Sequence, residues 1–228
     1  MHAEVMEFVE ITRSLFPKMF VGKKVLEIGS QDINGGVRTL FSDCDYIGLD
    51  VAPGNGVDIV CEGQNYDAPD ESFDVVISCE VMEHNPFWAE TLTNMIRLLK
   101  PGGLMVMSCA TVGRGEHGTA RTCPAASPLT VEMGWDYYKN LTKWHITRKV
   151  DLSSLSAKGF VHYWGGENGG DLYFLAQKAG AGEDATRKIA RFKAIYRARF
   201  FAVISRQINR VVHDPLLIPK ILEGKRWK

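Results

Sequence analysis

The sequence predicts an α/β protein built around a mostly parallel sheet. Short apolar segments that suit buried strands alternate with segments of helical spacing, and this alternation is typical of βαβ units. The segment FDVVIS at 73–78 is apolar enough to be covered on both faces, as the strands of parallel sheets are. With 228 residues, 45% of them hydrophobic, the chain is long enough to bury one substantial core.

The spacing of the apolar residues places each element in turn. Pro101-Gly102-Gly103 ends a helix, and the last two strands flank the bend GGENGG, which suits an antiparallel hairpin. The predicted strands are 24–28, 45–49, 58–61, 73–78, 104–110, 159–163 and 171–177, and the predicted helices are 1–20, 37–41, 87–99, 146–158 and 184–212.

Charge divides the chain into two parts. Residues 187–228 contain 12 basic and 2 acidic residues, and the preceding 186 contain 15 basic and 25 acidic ones. The net charge of zero therefore conceals an acidic body and a basic arm. Because glycines at 180 and 182 suit a hinge, the sequence predicts a domain over 1–180 and a basic C-terminal helical arm over 181–228.

Three roles remain open for this arm. Basic and apolar residues interleave along it, which suits an interfacial helix on an anionic membrane, for example near a lipid-linked glycan. The same pattern suits packing against the domain or against a second copy in a homo-oligomer. Nucleic-acid binding is the third role, and the acidic body argues against it, so no nucleic-acid partner is expected.

Cysteine usage and hydropathy indicate the compartment. The five cysteines are widely spaced and form no CxxC pair, so neither a disulfide framework nor a zinc site is expected. The first 20 residues lack the pattern of a signal peptide, and no apolar run approaches the roughly 20 residues of a membrane span. These features favour a cytoplasmic protein, at most peripheral at a membrane surface.

A glycine turn and two acidic residues stand at the ends of the first two predicted strands. The first strand runs into Glu27-Ile28-Gly29-Ser30, and Asp50 ends the second strand 21 residues after Gly29. In an open parallel sheet, ligands bind beyond the carboxyl ends of the strands, and glycine lets the backbone approach them closely. This spacing predicts a cofactor that carries adenosine. It fits a nicotinamide dinucleotide as well as S-adenosylmethionine.

Four segments in order favour one of these cofactors: VLEIGS, YIGLDVAPGNGVDIVCEG, SFDVVISCEVMEH and LLKPGGLMVMS. Over about 24–110 they resemble the class I S-adenosylmethionine-dependent methyltransferases, particularly the branch that acts on small molecules. The resemblance implies a Rossmann-like class I methyltransferase fold, which is α/β with a mostly parallel seven-stranded sheet and an antiparallel final hairpin strand. It also implies S-adenosylmethionine as the cofactor.

The same resemblance assigns roles at the strand ends. Glu27 corresponds to the acidic residue at the methionine end of the cofactor, Asp50 to the residue that binds the ribose, and Glu62 to the acceptor of the adenine amino group. The family's second glycine, two positions after Gly29, is replaced by Gln31, which implies a differently shaped loop. The expected cofactor-binding residues are Glu27, Gly29, Ser30, Gln31, Asp50, Val51, Glu62, Cys79, Glu80 and His84.

The acceptor is expected at the long insertion 111–143. Histidine is the commonest general base near neutral pH, so His117, in a glycine-rich stretch, and His145, just beyond the insertion, are the candidate catalytic bases. His145 also suits a structural role at a helix end. No spacing typical of metal ligands is evident, so no metal is expected. Candidates for an anion clamp or for stacking on a sugar or aromatic acceptor are Arg114, Arg121, Trp135, Tyr137 and Tyr138.

The sequence therefore predicts a methyltransferase that acts on a small molecule or glycoconjugate, with O-methylation of a sugar or glycolipid favoured. A nicotinamide-dependent oxidoreductase would share the glycine turn and Asp50 but would leave the FDVVISCEVMEH and LLKPGG segments unexplained. A non-catalytic partner subunit with a methyltransferase-like fold would bind the cofactor without turnover, or would not bind it at all.

Overall fold

A seven-stranded mixed sheet forms the centre of the protein. The structure, a computed structural model, describes residues 2–166, 169–180, 182 and 184–213. The strands are β1 Lys24–Ile28, β2 Asp45–Asp50, β3 Ile59–Val60, β4 Phe73–Cys79, β5 Leu99–Ala110, β6 Leu155–Gly166 and β7 Gly169–Lys178.

The order of the strands across the sheet is β3-β2-β1-β4-β5-β7-β6. The first five strands pair in parallel, whereas β7 lies antiparallel to both β5 and β6. This arrangement confirms the predicted α/β class, the mostly parallel sheet and the antiparallel final hairpin strand. The parallel pairs bring the carboxyl ends of β1, β2 and β4 to one edge of the sheet.

Five α-helices accompany the sheet in the part of the chain that is described: α1 Ala3–Leu15, α2 Trp88–Leu98, α3 Pro128–Glu132, α4 Lys143–Lys149 and α5 Asp184–His213. The prediction of an α-helix over 37–41 is wrong, because this segment forms a short 3-10 helix over Val37–Leu40. The loop after β1 therefore does not lead into an α-helix.

The prediction of a helix over 146–158 is also wrong from Val150 onward. Helix α4 ends at Lys149, Val150 is already extended at φ −118°, and β6 begins at Leu155. The Asp151 carboxylate accepts a hydrogen bond from the Ser153 N–H at 2.8 Å. Such a local side-chain bond competes with continuation of the helix.

Helices cover both faces of the sheet. On one face α1 and α5 pack together, and the Phe8 ring of α1 stacks on the Tyr173 ring of β7 with centroids 4.4 Å apart. On the other face, α2 contributes Leu92 and Met95 and α4 contributes Ile146 to a second core cluster. Alternate residues of each central strand enter the two clusters, as the period of two of a strand requires.

The first part of α5 packs on the domain. Ala185, Ile189, Phe192 and Tyr196 are buried in the same cluster as α1, and Arg199 forms an ion pair with Glu7 at 2.6 Å. This packing is the second of the three roles left open for the arm, and the boundary at residue 180 stays a prediction. None of the helices within the described ranges is both long and apolar enough to cross a membrane.

Candidate functional site

A cavity of about 500 Å³ lies beyond the carboxyl ends of β1, β2 and β4. It occupies the position where the strand order reverses between β1 and β4, which is where open α/β sheets bind ligands. Its volume falls within the range of small-molecule sites. Among the residues predicted to bind a ligand, those in its lining are Glu27, Gly29, Ser30, Gln31, Asp50, Val51, Cys79, Glu80, His84, Arg114, His117 and Trp135.

Gly29 lines this cavity in the turn that follows β1. Its φ is +80°, and a Cβ at this position would lie 2.0 Å from Cγ2 of Val81, so a side chain is excluded by both conformation and space. The Gly29 N–H donates to the Leu49 carbonyl at 2.7 Å, which ties the turn to β2. Beside it, the buried Ser30 Oγ has no partner among the described residues.

The loop that follows Gly29 is held by two hydrogen bonds of Asp32. The Asp32 N–H donates to the Asn55 carbonyl at 2.8 Å, and the Asp32 carboxylate accepts from the Gly35 N–H at 2.6 Å. Gln31 lines the cavity, whereas Asp32 is absent from its lining. In this protein Gln31 stands where the family has its second glycine, and the loop that contains Gln31 is stabilised by a turn around Asp32.

Glu27 places a carboxylate at the cavity from inside β1. Glu27 is 4% exposed, and the Tyr46 hydroxyl donates a hydrogen bond to Oε2 of Glu27 at 2.8 Å. Burial raises the pKa of Glu27 to about 7, although the hydrogen bond from Tyr46 acts in the opposite direction. A cation bound beside this carboxylate would favour its ionised form.

Asp50 stands at the tip of β2, where both of its oxygens are already held. Oδ2 accepts from the Gln31 N–H at 2.9 Å and Oδ1 from the Val51 N–H at 2.8 Å. Because each carboxylate oxygen has two lone pairs, both can accept a further hydrogen bond from a ligand in the cavity. Burial raises the pKa of Asp50 above its usual value.

A buried ionic network forms one wall of the cavity. Glu80 follows β4 with a positive φ of +58°, an unusual conformation for this residue type. Its carboxylate accepts from Ser108 Oγ at 3.0 Å and from Arg114 Nη2 at 3.2 Å. Arg114 also pairs with Asp171 of β7 and donates to His2 Nε2 at 2.7 Å. The guanidinium thus joins the loop after β5 to the sheet.

Two imidazoles of the cavity lining contact a phenol ring. The His84 and His117 rings are 5.0 Å apart between centroids, and each also contacts the Tyr138 ring, at 5.5 Å and 5.0 Å. Burial lowers the pKa of His84 to about 3 and also lowers that of His117. Both rings are therefore neutral near pH 7, and both line the cavity.

Two of the predicted acceptor-side residues are used for structure. His145 occupies the third position of α4, where its Nδ1 accepts from the Thr142 N–H at 3.1 Å in a capping box. Arg114 is buried in the ionic network described above, with 4% of its side chain exposed. His145 is absent from the cavity lining, whereas Arg114 is part of it.

Four further predicted residues are not among those that line the cavity. The Glu62 carboxylate accepts from Gln64 at 2.6 Å and from Asn65 at 2.9 Å. The exposed Arg121 pairs with Glu116 and Asp136. Tyr137 packs against the core, and the Tyr138 hydroxyl lies 3.0 Å from two acceptors, the Gly115 carbonyl and Asn140 Oδ1, and donates to one of them. The ligand roles of Glu62, Arg121, Tyr137 and Tyr138 stay predictions.

Several residues at the site were not predicted from the sequence. His2 reaches the cavity from the start of the chain, and Asp171 reaches Arg114 from 57 positions away. Glu83 is fully buried beside His84. The EVMEH segment could have pointed to Glu83, because an acidic residue in an apolar stretch is costly to bury without a function.

Comparison with known proteins agrees with this geometry. A family model described as a methyltransferase domain matches residues 3–155. The chain is 32% identical over 171 residues to a ubiquinone biosynthesis O-methyltransferase of Cereibacter sphaeroides, an alignment that covers 64% of this chain and 66% of the relative. A protein of the same name from Maricaulis maris is 32% identical over 119 residues, which is 52% of this chain and 42% of that protein. The chain thus spans less than two thirds of each relative.

Solved structures share the fold at low sequence identity. Phosphoethanolamine N-methyltransferase 2 of Haemonchus contortus in complex with S-adenosyl-L-methionine has a TM-score of 0.53 and 15% identity, covering 76% of this chain and 52% of that one. The 1,6-didemethyltoxoflavin-N1-methyltransferase of Burkholderia thailandensis has a TM-score of 0.52 and 13% identity, covering 75% and 78%.

The family match covers more than half of the chain, and the fold and the position of the cavity agree with it. The nicotinamide-dependent alternative therefore no longer accounts for the sequence. The chain belongs to the methyltransferase-domain family and has the Rossmann-like fold of class I methyltransferases that use S-adenosylmethionine.

Proposed function

We propose that the protein transfers a methyl group from S-adenosylmethionine to a hydroxyl oxygen of a small molecule, with a sugar or glycolipid as the favoured acceptor. The observation that carries this proposal is one cavity lined by two chemically different sets of groups. The carboxylates of Glu27 and Asp50 with the glycine turn at Gly29 form one set, and the neutral imidazoles of His84 and His117 form the other. The names of the curated relatives, O-methyltransferases, support oxygen as the acceptor atom.

The residues at the strand tips fit the cofactor. The Glu27 carboxylate suits the amino group of its methionine part, and the free lone pairs of Asp50 suit the two ribose hydroxyls. Val51 and Cys61 line the cavity next to Asp50 and provide contact for the adenine. When bound, S-adenosylmethionine supplies an electrophilic methyl group on a positively charged sulfur.

The acceptor side must orient an oxygen nucleophile and exclude water. A hydroxyl has a high pKa, so its proton must be removed as the oxygen attacks. His117 is the group at the cavity that suits this task, because its imidazole is neutral near pH 7, whereas His84, with a pKa of about 3, is too weak a base. Trp135, whose ring contacts Phe87 at 5.7 Å, offers an aromatic face on which a sugar ring can stack.

An exposed apolar surface that includes the start of the loop after β5 supports a lipid-linked acceptor. Val112 and Trp164 are joined by a hydrogen bond of 3.0 Å, and the Trp164 ring lies 6.5 Å from that of Phe200. With Phe201, these residues form what we term the apolar patch, whose members are between 44% and 59% exposed. Val112 also stands two residues before Arg114, which lines the cavity.

Exposed basic side chains on α5 complement this patch, namely Arg191, Lys193 and Arg197. Apolar side chains that enter a bilayer, combined with cations near its surface, favour binding to anionic lipid. We therefore propose that the apolar patch docks on an anionic membrane surface, where a lipid-linked acceptor would reach the cavity.

The pH dependence of cofactor binding tests the assignment of Glu27. The cationic amino group binds the ionised carboxylate, and the pKa of Glu27 in the free protein is about 7. The affinity for S-adenosylhomocysteine should thus fall roughly tenfold between pH 8 and pH 6, measured by isothermal titration calorimetry. Tyr46→Phe removes a hydrogen bond to the carboxylate and should shift this fall to higher pH. An affinity of the unmodified protein that does not change between pH 8 and pH 6 contradicts the assignment.

A methyl-transfer assay tests the reaction itself. Radiolabelled S-adenosylmethionine is offered with sugars, glycolipids and phenols, and with amines and thiols of similar size. Label is expected on oxygen, and His117→Ala should lower kcat by about 100-fold or more. His145→Ala, which alters the cap of α4, should change kcat far less. Methylation of nitrogen or sulfur alone, or cofactor binding without turnover of any acceptor, would refute the proposal.

Vesicle sedimentation tests the membrane contact. The protein should bind to vesicles that contain phosphatidylcholine and phosphatidylglycerol, and it should bind much more weakly to vesicles of phosphatidylcholine alone. Phe200→Ser and Phe201→Ser together should weaken this binding by about tenfold or more, because two apolar side chains no longer enter the bilayer. Val60→Ser, at an exposed residue on the distant β3, is the matched control. Equal binding by the double variant and the control would exclude the apolar patch as the docking surface.

A further inference from the structure

Three potential metal ligands converge at the acceptor side of the cavity. Glu83 and His84 follow β4, and His117 comes from the loop after β5. Each offers one oxygen or ring nitrogen, and these three atoms lie within 4.8 Å of one another. This cluster could not be predicted from the sequence, because 32 residues separate His84 from the next ligand, His117, along the chain.

Two of these side chains are buried with unsatisfied atoms. Glu83 is 0% exposed and His84 is 3% exposed, and neither Glu83 Oε2 nor His84 Nδ1 has a hydrogen-bond partner among the described residues. The other oxygen of Glu83 accepts from the Ala110 N–H at 3.0 Å, which fixes the carboxylate in place. Buried polar atoms normally have partners, so two orphaned atoms in one cluster indicate a missing ligand.

The charges around the cluster call for a cation. Arg114 pairs with Glu80 and Asp171, and Glu83 is buried near the same guanidinium, so three carboxyl groups share one permanent positive charge. Buried charge without compensation is costly. A divalent cation would balance this charge, and it would bind where the unsatisfied atoms of Glu83 and His84 already stand.

His117, the third potential ligand, is also oriented to bind a metal ion. His117 Nδ1 lies 3.0 Å from the Gly115 carbonyl, which acts as acceptor when that nitrogen carries the proton and leaves Nε2 free to bind a metal. Metal-binding histidines usually donate their second ring N–H in this way. Ligands about 2.1 Å from a tetrahedral metal lie about 3.4 Å apart. The three ligand atoms, which lie within 4.8 Å of one another, must therefore move closer together when the metal binds. Gly115 and Gly118, near His117, permit this movement.

We propose that Glu83, His84 and His117 bind one divalent transition-metal ion, such as Zn²⁺, with its remaining coordination positions open to the cavity. Two imidazoles and a carboxylate suit zinc or iron, whereas Mg²⁺ prefers oxygen ligands alone. Resting on the proposed function, the further step is that an acceptor hydroxyl occupies an open position. The bound metal would lower the pKa of that hydroxyl, so that its proton would leave to solvent. His117 would then act as a metal ligand in place of its role as a base.

Calorimetric titration of the full chain, stripped with EDTA, with Zn²⁺ tests this site. One ion per chain should bind, and Co²⁺ at the same site should give the visible absorption of a tetrahedral complex. His117→Ala and Glu83→Gln should each weaken Zn²⁺ binding by more than about 100-fold, the upper effect of losing an outer-shell partner. His145→Ala, a histidine outside the cluster, controls for binding at surface histidines and should leave the affinity unchanged.

Retained binding of S-adenosylhomocysteine shows that each variant is folded, and His117→Ala carries the test if Glu83→Gln does not fold. Binding of no ion, or equal affinity in the unmodified protein and His117→Ala, overturns the metal site. Methyl transfer that persists in EDTA overturns the role of the metal and leaves the proposed function standing. Zinc binding without turnover of any acceptor overturns the proposed function and leaves the metal site standing.

Discussion

The reversal of strand order between β1 and β4 is the constraint on which the site depends. From β1 the chain continues to β2 on one side, and from β4 it continues to β5 on the other, so the loops that follow β1 and β4 diverge. The cavity lies between them. Gly29 in the loop after β1 packs closely against Val81 in the loop after β4, which a side chain at position 29 would prevent. The positions of Glu27, Asp50 and His84 around the cavity follow from the ends of their strands.

A second constraint holds the loop after β5 over this gap. Arg114 is buried between Glu80, at the end of β4, and Asp171, in the antiparallel β7, and it also contacts His2. A buried ion pair adds little net stability by itself, but the loss of one partner costs about 3–5 kcal/mol. The network therefore fixes the geometry of the loop rather than merely strengthening the fold. The loop carries His117, so the acceptor side depends on the final hairpin as well as on the parallel half of the sheet.

The sequence was sufficient for the parallel half of the fold and for the tips of its strands. Those features depend on local patterns, such as apolar strands that end in glycine or an acidic residue. It was insufficient where long-range contacts decide the role of a side chain. The burial of Arg114 depends on Asp171 far along the chain, and the orphaned atom of Glu83 becomes visible only when the loops meet. The capping role of His145 was readable in principle, because Thr142 stands three residues before it.

A crystal structure with S-adenosylhomocysteine tests the central claim most directly. The account predicts that the ribose hydroxyls bind the Asp50 carboxylate, that the amino group lies beside Glu27, and that the sulfur points toward His84 and His117. A nucleoside bound elsewhere, or a sulfur directed away from the two histidines, would contradict the division of the cavity into a cofactor side and an acceptor side.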